Sequence, residues 1–258
     1  MVNQLITYLT FLKKSSNQHG VHSPFVYNLL TKCLYTKQIS ENYSKVKAHR
    51  DWLLKNHKEI EVSDFGVGSR IFKSNLRKVS SIATTAGMTK KRQGLLCKLV
   101  GYLKPQEILE IGTSVGLATA ALYTGNPSAH ITTVEGCLET SGIARAGFEL
   151  FGFDRIAQVS TKFDAFFNSE HFRSEIDLAF IDGNHSKEAT LAYFKKLAPQ
   201  MSTDGVIIFD DIYWSPGMTE AWNEICSDPK VTVSIDTYQW GLVFFRKEQQ
   251  KEHFTIRV

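Results

Sequence analysis

From residue 107 onward the apolar positions of this chain follow a regular alternation. Short runs rich in β-branched and aromatic residues read as buried strands: Glu107–Ile111, His130–Glu135, Ile156–Ser160, Leu178–Asp182 and Val206–Asp210. Between them, segments near 115–124, 138–151, 163–170 and 186–198 carry helical spacing. Strands alternating with helices imply a parallel sheet with helices on both faces. The tail breaks the alternation: Val231–Asp236 and Gly241–Arg246, on either side of Thr237-Tyr-Gln-Trp240, read as a closing hairpin. The predicted fold is α/β: a doubly wound, mostly parallel, seven-stranded Rossmann-like sheet with a C-terminal antiparallel hairpin. Ahead of it the pattern changes. Residues 1–60 read as helices, with Ser23-Pro24 as N-cap and first helical residue of the apolar run Phe25–Leu34. Ile60–Gly68 reads as a short strand leading into a loop, and Met88–Leu103 as a helix beside the first strand. The predicted division is a helical N-terminal extension, 1–85, and a main domain, 86–258.

The first strand runs into Gly112-Thr113-Ser114-Val115-Gly116 and then a small-residue helix, Leu117–Tyr123. Glycines let the backbone approach a ligand, and a helix N-terminus offers N–H groups beside it. Glu135 follows Ile111 by 24 residues and ends the second strand. An acid at that tip is placed to hold both hydroxyls of a ribose. The pattern predicts a nucleoside-containing cofactor. A dinucleotide fold wants G-x-G-x-x-G, whereas Gly112 and Gly116 are spaced G-x-x-x-G. Glu110, just ahead of the turn, would repel a pyrophosphate but suits a cationic ligand. S-adenosylmethionine carries an ammonium and a sulfonium, so it is favoured over NAD.

At these residues the chain resembles the class I S-adenosylmethionine-dependent methyltransferases, with E-I-G-T-S-V-G as their first motif and Glu135 as their ribose acid. The resemblance covers about residues 90–246. It implies that Glu110, Gly112, Thr113, Ser114, Gly116 and Glu135 bind the cofactor, with Asp182 also in reach. It also sets Phe163, just past the third strand, where the superfamily contacts adenine; a core role for Phe163 stays open. Asp64-Phe-Gly-Val-Gly-Ser69 imitates the first motif, but it lacks an apolar strand before it, an apolar helix after it and a ribose acid beyond. It reads as a glycine turn near the active site, not a second cofactor site.

Two strands end in acids: Phe180-Ile-Asp182-Gly-Asn-His185 and Ile207-Ile-Phe-Asp210-Asp211. In an open α/β sheet, ligands gather at the carboxyl ends of the strands. Three hard oxygen donors at neighbouring tips suit Mg²⁺ or a similar cation; the alternative is that these acids cap the helices that follow. The cluster resembles the metal-dependent O-methyltransferases of the catechol and caffeoyl-CoA type. There an Asp after the fourth strand and an Asp-Asn pair after the fifth hold Mg²⁺. Asp182 and Asp210 match, and Asp211 stands where the family has Asn. The catechol type has a Lys three residues after its first metal Asp; here the residue is His185. The F-I-D-G-N-H form is more similar to the macrocin-type sugar O-methyltransferases, where a His at this place is the base. The implied set is Asp182, Asp210 and Asp211 on the metal, with Asp182 and His185 catalytic. A near-neutral histidine can take a proton from a hydroxyl made acidic by a metal. Trp214 and Met218, after the acids, are candidate pocket walls, and Trp222 a core residue. His19 and His22 read as a structured turn.

Composition narrows the rest. The chain has 258 residues, 43% of them hydrophobic, enough for one α/β domain with an extension. Cys33, Cys97, Cys137 and Cys226 form no C-x-x-C pair, which fits a reducing cytoplasm and neither a zinc site nor a disulfide framework. Met1–Phe11 lacks the order of a signal peptide, and no stretch is long enough to span a bilayer. Charge is uneven: residues 1–105 hold 18 Lys+Arg against 5 Asp+Glu, and residues 106–258 hold 12 against 21. Either a basic cap sits on an acidic domain or the partner is anionic. The predicted function is methyl transfer to a small-molecule hydroxyl. RNA methylation through the basic region, a non-catalytic cofactor-binding protein and a dehydrogenase are the rivals, and a homodimer is left open.

Overall fold

The computed structural model describes residues 2–37, 43–66, 68, 72–85, 87–172 and 175–258. They form two compact units: residues 1–35 with 174–258, and residues 36–173. In chain order the first unit opens with α1 (Val2–Lys14) and α2 (Pro24–Leu29), which widens into a π-type turn over Leu30–Leu34. The second unit holds α3 (Tyr43–Lys55), β1 (Glu59–Glu61), β2 (Leu76–Lys78), α4 (Val79–Thr85), α5 (Lys90–Leu103) and β3 (Glu107–Ile111). It continues with α6 (Leu117–Gly125), β4 (His130–Glu135), α7 (Leu138–Phe151), β5 (Ile156–Ser160) and α8 (Phe163–Phe167). The chain then re-enters the first unit with β6 (Ile176–Ile181), α9 (Lys187–Leu197), β7 (Met201–Asp210), α10 (Pro216–Ser227), β8 (Val233–Asp236), β9 (Trp240–Phe244) and β10 (Glu252–Thr255).

In the second unit β3, β4 and β5 pair in parallel, with Glu110 opposite Thr133 and Glu135 opposite Ser160. The three strands therefore end together, and the loops that follow share one edge. Parallel strands with both faces covered need apolar residues at successive positions, and Ile108, Leu109, Ile111, Ile131 and Val134 are all buried. α5 starts at an N-cap, Thr89, whose side chain accepts from Arg92 N–H. Its buried Gln93 donates to Leu117 O at 2.7 Å, tying α5 to the first turn of α6. In the first unit β6 and β7 are parallel, β9 runs antiparallel to β7 and β8, and β10 is parallel to β8. α1 and α2 pack here: Tyr8 meets Tyr238 edge-on at 4.9 Å, and Phe25 meets Phe244 at 5.0 Å.

The five predicted strands and the hairpin are present with small shifts at their ends. Three features differ. β10 escapes the sequence because Glu252–Thr255 is short and largely polar; it becomes a strand by pairing with β8. β2 pairs with β1 as a small antiparallel hairpin. Met218 lies in α10 and not in a loop, because Ser215 caps that helix ahead of Pro216. Met218 and Trp222 are both core, so Met218 is not a pocket wall. Residues 1–85 are shared between the units, 1–35 in the first and 36–85 in the second. Among the described residues no helix is long and apolar enough to cross a membrane, and all four cysteines are free.

His49, on α3, is fully buried in a box of aromatic rings: Trp52 at 6.0 Å, Phe148 at 6.4 Å, Phe151 at 5.5 Å and Phe153 at 5.8 Å. Neither ring nitrogen has a hydrogen-bond partner among the described residues. Burial, and secondarily the Arg50 charge, push its pKa down from 6.5 to about 4. The unfolded chain therefore binds a proton that the folded chain refuses between those two values. Stability is full above pH 6.5 and falls as pH drops toward 4, by about 3 kcal/mol for a shift of that size. The variant His49→Phe is expected to lose this acid limb. Urea midpoints of wild type and variant between pH 7 and pH 4 measure it; parallel curves would refute it.

Candidate active site

The second unit builds the cofactor side. Gly112 (φ 102°), Ser114 (φ 49°) and Gly116 (φ 84°) turn the chain between β3 and α6. A non-glycine residue in the left-handed region is strained, so something must hold Ser114. Its N–H donates to Glu135 Oε2 at 2.7 Å, and Cys137 N–H donates to Oε1 at 2.9 Å. Glu135 is thus fixed by backbone donors from both sides of its strand tip. Gly112 N–H also reaches back to Val134 O at 2.9 Å.

Glu110 is fully buried and accepts from Thr119 Oγ1 and Thr133 Oγ1. Thr133 in turn meets Thr113 Oγ1 at 2.5 Å. Sequence reasoning had Glu110 facing a cationic ligand. The structure instead makes it the anchor under the loop, joining β3, β4 and α6. Gly112 and Ser114 are the half-buried members of the loop, and Thr113 is buried with its hydroxyl turned to Thr133. Gly116 is required by packing: a Cβ there would lie 2.6 Å from Phe148 of α7. Phe163 is half-buried at the first turn of α8. In the imitating segment, Val67 and Ser69 to Ile71 lie outside the described residues, while Asp64, Phe65, Gly66 and Gly68 are described.

The donor set fits an adenosine-type ligand. A carboxylate has about four acceptor sites, and here it is locked at the end of the second parallel strand, beside a turn whose backbone precedes a helix N-terminus.

The first unit holds the acids. Asp182 follows β6 and His185 lies three residues on, with Nε2 at 3.4 Å from Asp182 Oδ1. Burial disfavours the imidazolium, but the bond to Asp182 and the charges of Asp182, Asp211 and Asp210 outweigh it, raising the His185 pKa to about 9. The histidine therefore carries its proton at neutral pH. Sequence reasoning expected a near-neutral base; three carboxylates move it. Asn184 (φ 64°), His185 (φ 37°) and Asp211 (φ 50°) are all left-handed. Such strain collects at functional sites. The alternative of helix capping fails, because Ser186 and Ser215 cap α9 and α10.

Asp210 is buried and accepts from Asp211 N–H at 3.0 Å. Among the described residues no group of three or more His, Cys, Asp and Glu is placed to hold a metal ion. The cation expected at Asp182, Asp210 and Asp211 thus gains no support from these positions. The carboxylates are already engaged, Asp182 by His185 and Asp210 by backbone. Trp214 lies beside His185, ring centres 5.9 Å apart. One residue escaped the sequence reading. Asp236, buried at the end of β8, accepts from Tyr213 O–H at 2.5 Å and Tyr238 N–H at 2.7 Å. It fixes the residue next to Trp214. The only signal was an acid ending an otherwise apolar strand.

Residues 109–212 match the family model described as a methyltransferase domain. Over this stretch the chain is similar to methyltransferase domains. Solved structures agree on the fold. The S-adenosylhomocysteine-bound methyltransferase PaMTH1 of Podospora anserina is 15% identical, with a TM-score of 0.61 over 88% of this chain and 97% of that one. The O-methyltransferase TomG of Streptomyces achromogenes, involved in tomaymycin synthesis and solved with S-adenosylmethionine, is 16% identical, TM-score 0.54, over 90% and 99%. The Bacillus cereus O-methyltransferase in complex with S-adenosylhomocysteine is 18% identical, TM-score 0.52, over 85% and 96%. The α/β Rossmann-like methyltransferase fold predicted for the chain is the observed one.

Because Gly116 is both left-handed and pressed against Phe148, Gly116→Ala should destabilise the domain by about 2–4 kcal/mol, from overpacking and backbone strain. Adding Phe148→Leu should recover less than it would if sterics alone were at fault. Chemical denaturation of the single and double variants decides; a neutral Gly116→Ala would show that the loop is soft.

Proposed function

We propose that this methyltransferase transfers the methyl group of S-adenosylmethionine to the hydroxyl oxygen of a small molecule. The observation that carries the reading is the grip of Glu135 on Ser114 and Cys137 N–H within the matched domain. It prepares an acid at the strand tip for two ribose hydroxyls. Two of the similar solved structures are named as O-methyltransferases, which supports oxygen as the acceptor atom.

S-adenosylmethionine, when bound, supplies an electrophilic methyl on a positively charged sulfur. The chain's own residues do the rest. Glu135 orients the nucleoside, and Glu110 keeps the loop rigid through Thr119 and Thr133. His185 in its neutral form takes the substrate's hydroxyl proton. The raised pKa makes that the minor form at neutral pH, so methyl transfer should speed up as pH rises toward 9. Asp182 holds the imidazolium that results, and the charges of Asp211 and Asp210 add to the pair's proton affinity. Trp214 borders the pair and offers an apolar surface to the acceptor. Positioning and charge placement supply most of the rate in such a transfer. The basic residues that precede the domain would favour an anionic substrate. Divalent-metal assistance by the three acids is the finer alternative, and it is tested directly.

Calorimetry should show binding of S-adenosylhomocysteine and no binding of NAD. Glu135→Ala should weaken the former by about 1.5–3 kcal/mol, the range for a hydrogen bond to a charged group. Tight NAD binding without a response to S-adenosylhomocysteine would sink the cofactor assignment. With a panel of phenols and sugars as acceptors, His185→Ala should slow methyl transfer by about a hundred- to ten-thousandfold. Asp182→Ala should cost as much and leave cofactor binding unchanged. Activity lost on chelation and restored by Mg²⁺ would replace the proton-accepting pair by the metal-assisted reading.

A further inference from the structure

Phe65 stands in the segment that imitates the glycine motif, outside the matched domain, and has no part in the chemistry above. It is a large aromatic left 50% exposed. It is also closely seated. A Cβ on Gly136 would lie 2.7 Å from Phe65 Cδ2 and 2.9 Å from Cε2. The ring fills the volume that a side chain at residue 136 would fill, immediately after Glu135.

The ring is held there from several sides. Ser63 N–H donates to Cys137 Sγ at 3.4 Å, and the Cys137 thiol points to Glu61 O at 3.7 Å, fastening this segment to the turn between β4 and α7. Asp64 accepts from Gly66 N–H at 3.2 Å and pairs with Arg77 at 3.9 Å. Lys162, two residues past β5 and just before Phe163, sets its ammonium 5.2 Å from the ring centre. Phe65 therefore bridges the tips of β4 and β5, the two tips flanking the nucleoside end of the cofactor in the proposed function.

We infer that Phe65 is the aromatic wall on which the adenine of the cofactor rests. The inference stands on the S-adenosylmethionine reading of Glu135. Once an acid holds the two ribose hydroxyls, the base, joined to the same ring, must fall beside the next residue and the neighbouring tip. At residue 136 the chain offers no side chain, and Phe65 supplies an apolar π-face in its stead. Base–aromatic stacking is tolerant in geometry and adds to whatever Phe163 contributes. The Lys162 ammonium holds the ring by cation–π attraction and can donate to an adenine ring nitrogen. Phe65 is a binding residue and takes no part in proton transfer.

Titration calorimetry of the full chain with S-adenosylhomocysteine and with 5′-methylthioadenosine, which lacks the amino-acid end, tests this. Phe65→Ala should raise both dissociation constants by the same factor, about tenfold, in line with the loss of one stack. Phe65→Trp should keep both near wild type. Because the ring is half exposed, melting temperatures should stay close to wild type; if Phe65→Ala unfolds, Phe65→Leu gives the same comparison. Unchanged affinities for both ligands overturn the inference. So does a loss confined to S-adenosylhomocysteine, which would put Phe65 at the amino-acid end. If wild type binds neither ligand, the cofactor reading itself has failed, a result distinct from failure of Phe65 alone.

Discussion

The glycine loop of the second unit depends on one fully buried carboxylate. Glu110 sits under the turn and accepts from Thr119 on α6 and Thr133 on β4. A buried carboxylate is costly unless hydrogen-bonded, and the two bonds that its Oε2 accepts tie β4 and α6 to β3. Thr113 extends the same chain of hydroxyls into the loop. Above it Glu135 closes the loop from the other side by taking Ser114 N–H. One acid below and one above hold a backbone that includes a strained serine. The upper acid is thereby presented at the edge where the three parallel strands end.

The acids of the first unit follow a different logic. Asp182, Asp211 and Asp210 all favour the charged form of His185, against the burial that disfavours it. Asn184, His185 and Asp211 beside these acids are left-handed. Strain of about 1–3 kcal/mol at each such residue persists only where the surroundings over-determine it. Here β6 and β7 are held in register by the ladder from Leu178 to Ile181. Ser186 and Ser215 start the next helices without help from the acids. The carboxylates are thus spared from capping those helices.

How much of this was legible in the chain depends on the range of the interaction. The strands β3 to β7 and the closing hairpin announce themselves because a buried parallel strand needs an unbroken apolar run, a local property. β10 gave no such signal; its pairing with β8 is chosen at long range. Met218 looked like a pocket wall because the residues around it resemble a loop, yet the cap at Ser215 starts a helix and turns it inward.

The places of Glu135 at the tip of β4 and of Asp182 and His185 just after β6 could be read from spacing alone, because the end of an apolar strand is a local feature. Their states could not. Whether Glu110 faces a ligand or lies buried, and whether His185 is neutral or charged, is set by atoms far apart in sequence: Thr119 and Thr133 for the one, Asp210 and Asp211 for the other. Phe65 shows the limit most plainly. Its segment imitates a cofactor motif, but its use comes from Gly136, 71 positions on, which lacks the side chain that Phe65 replaces. The sequence by itself determined which elements form and which residues stand at their tips, because hydrophobic periodicity is local. The tertiary structure alone decided which of those residues carry charge, bear strain or meet, because solvation and electrostatic fields depend on every neighbour in space.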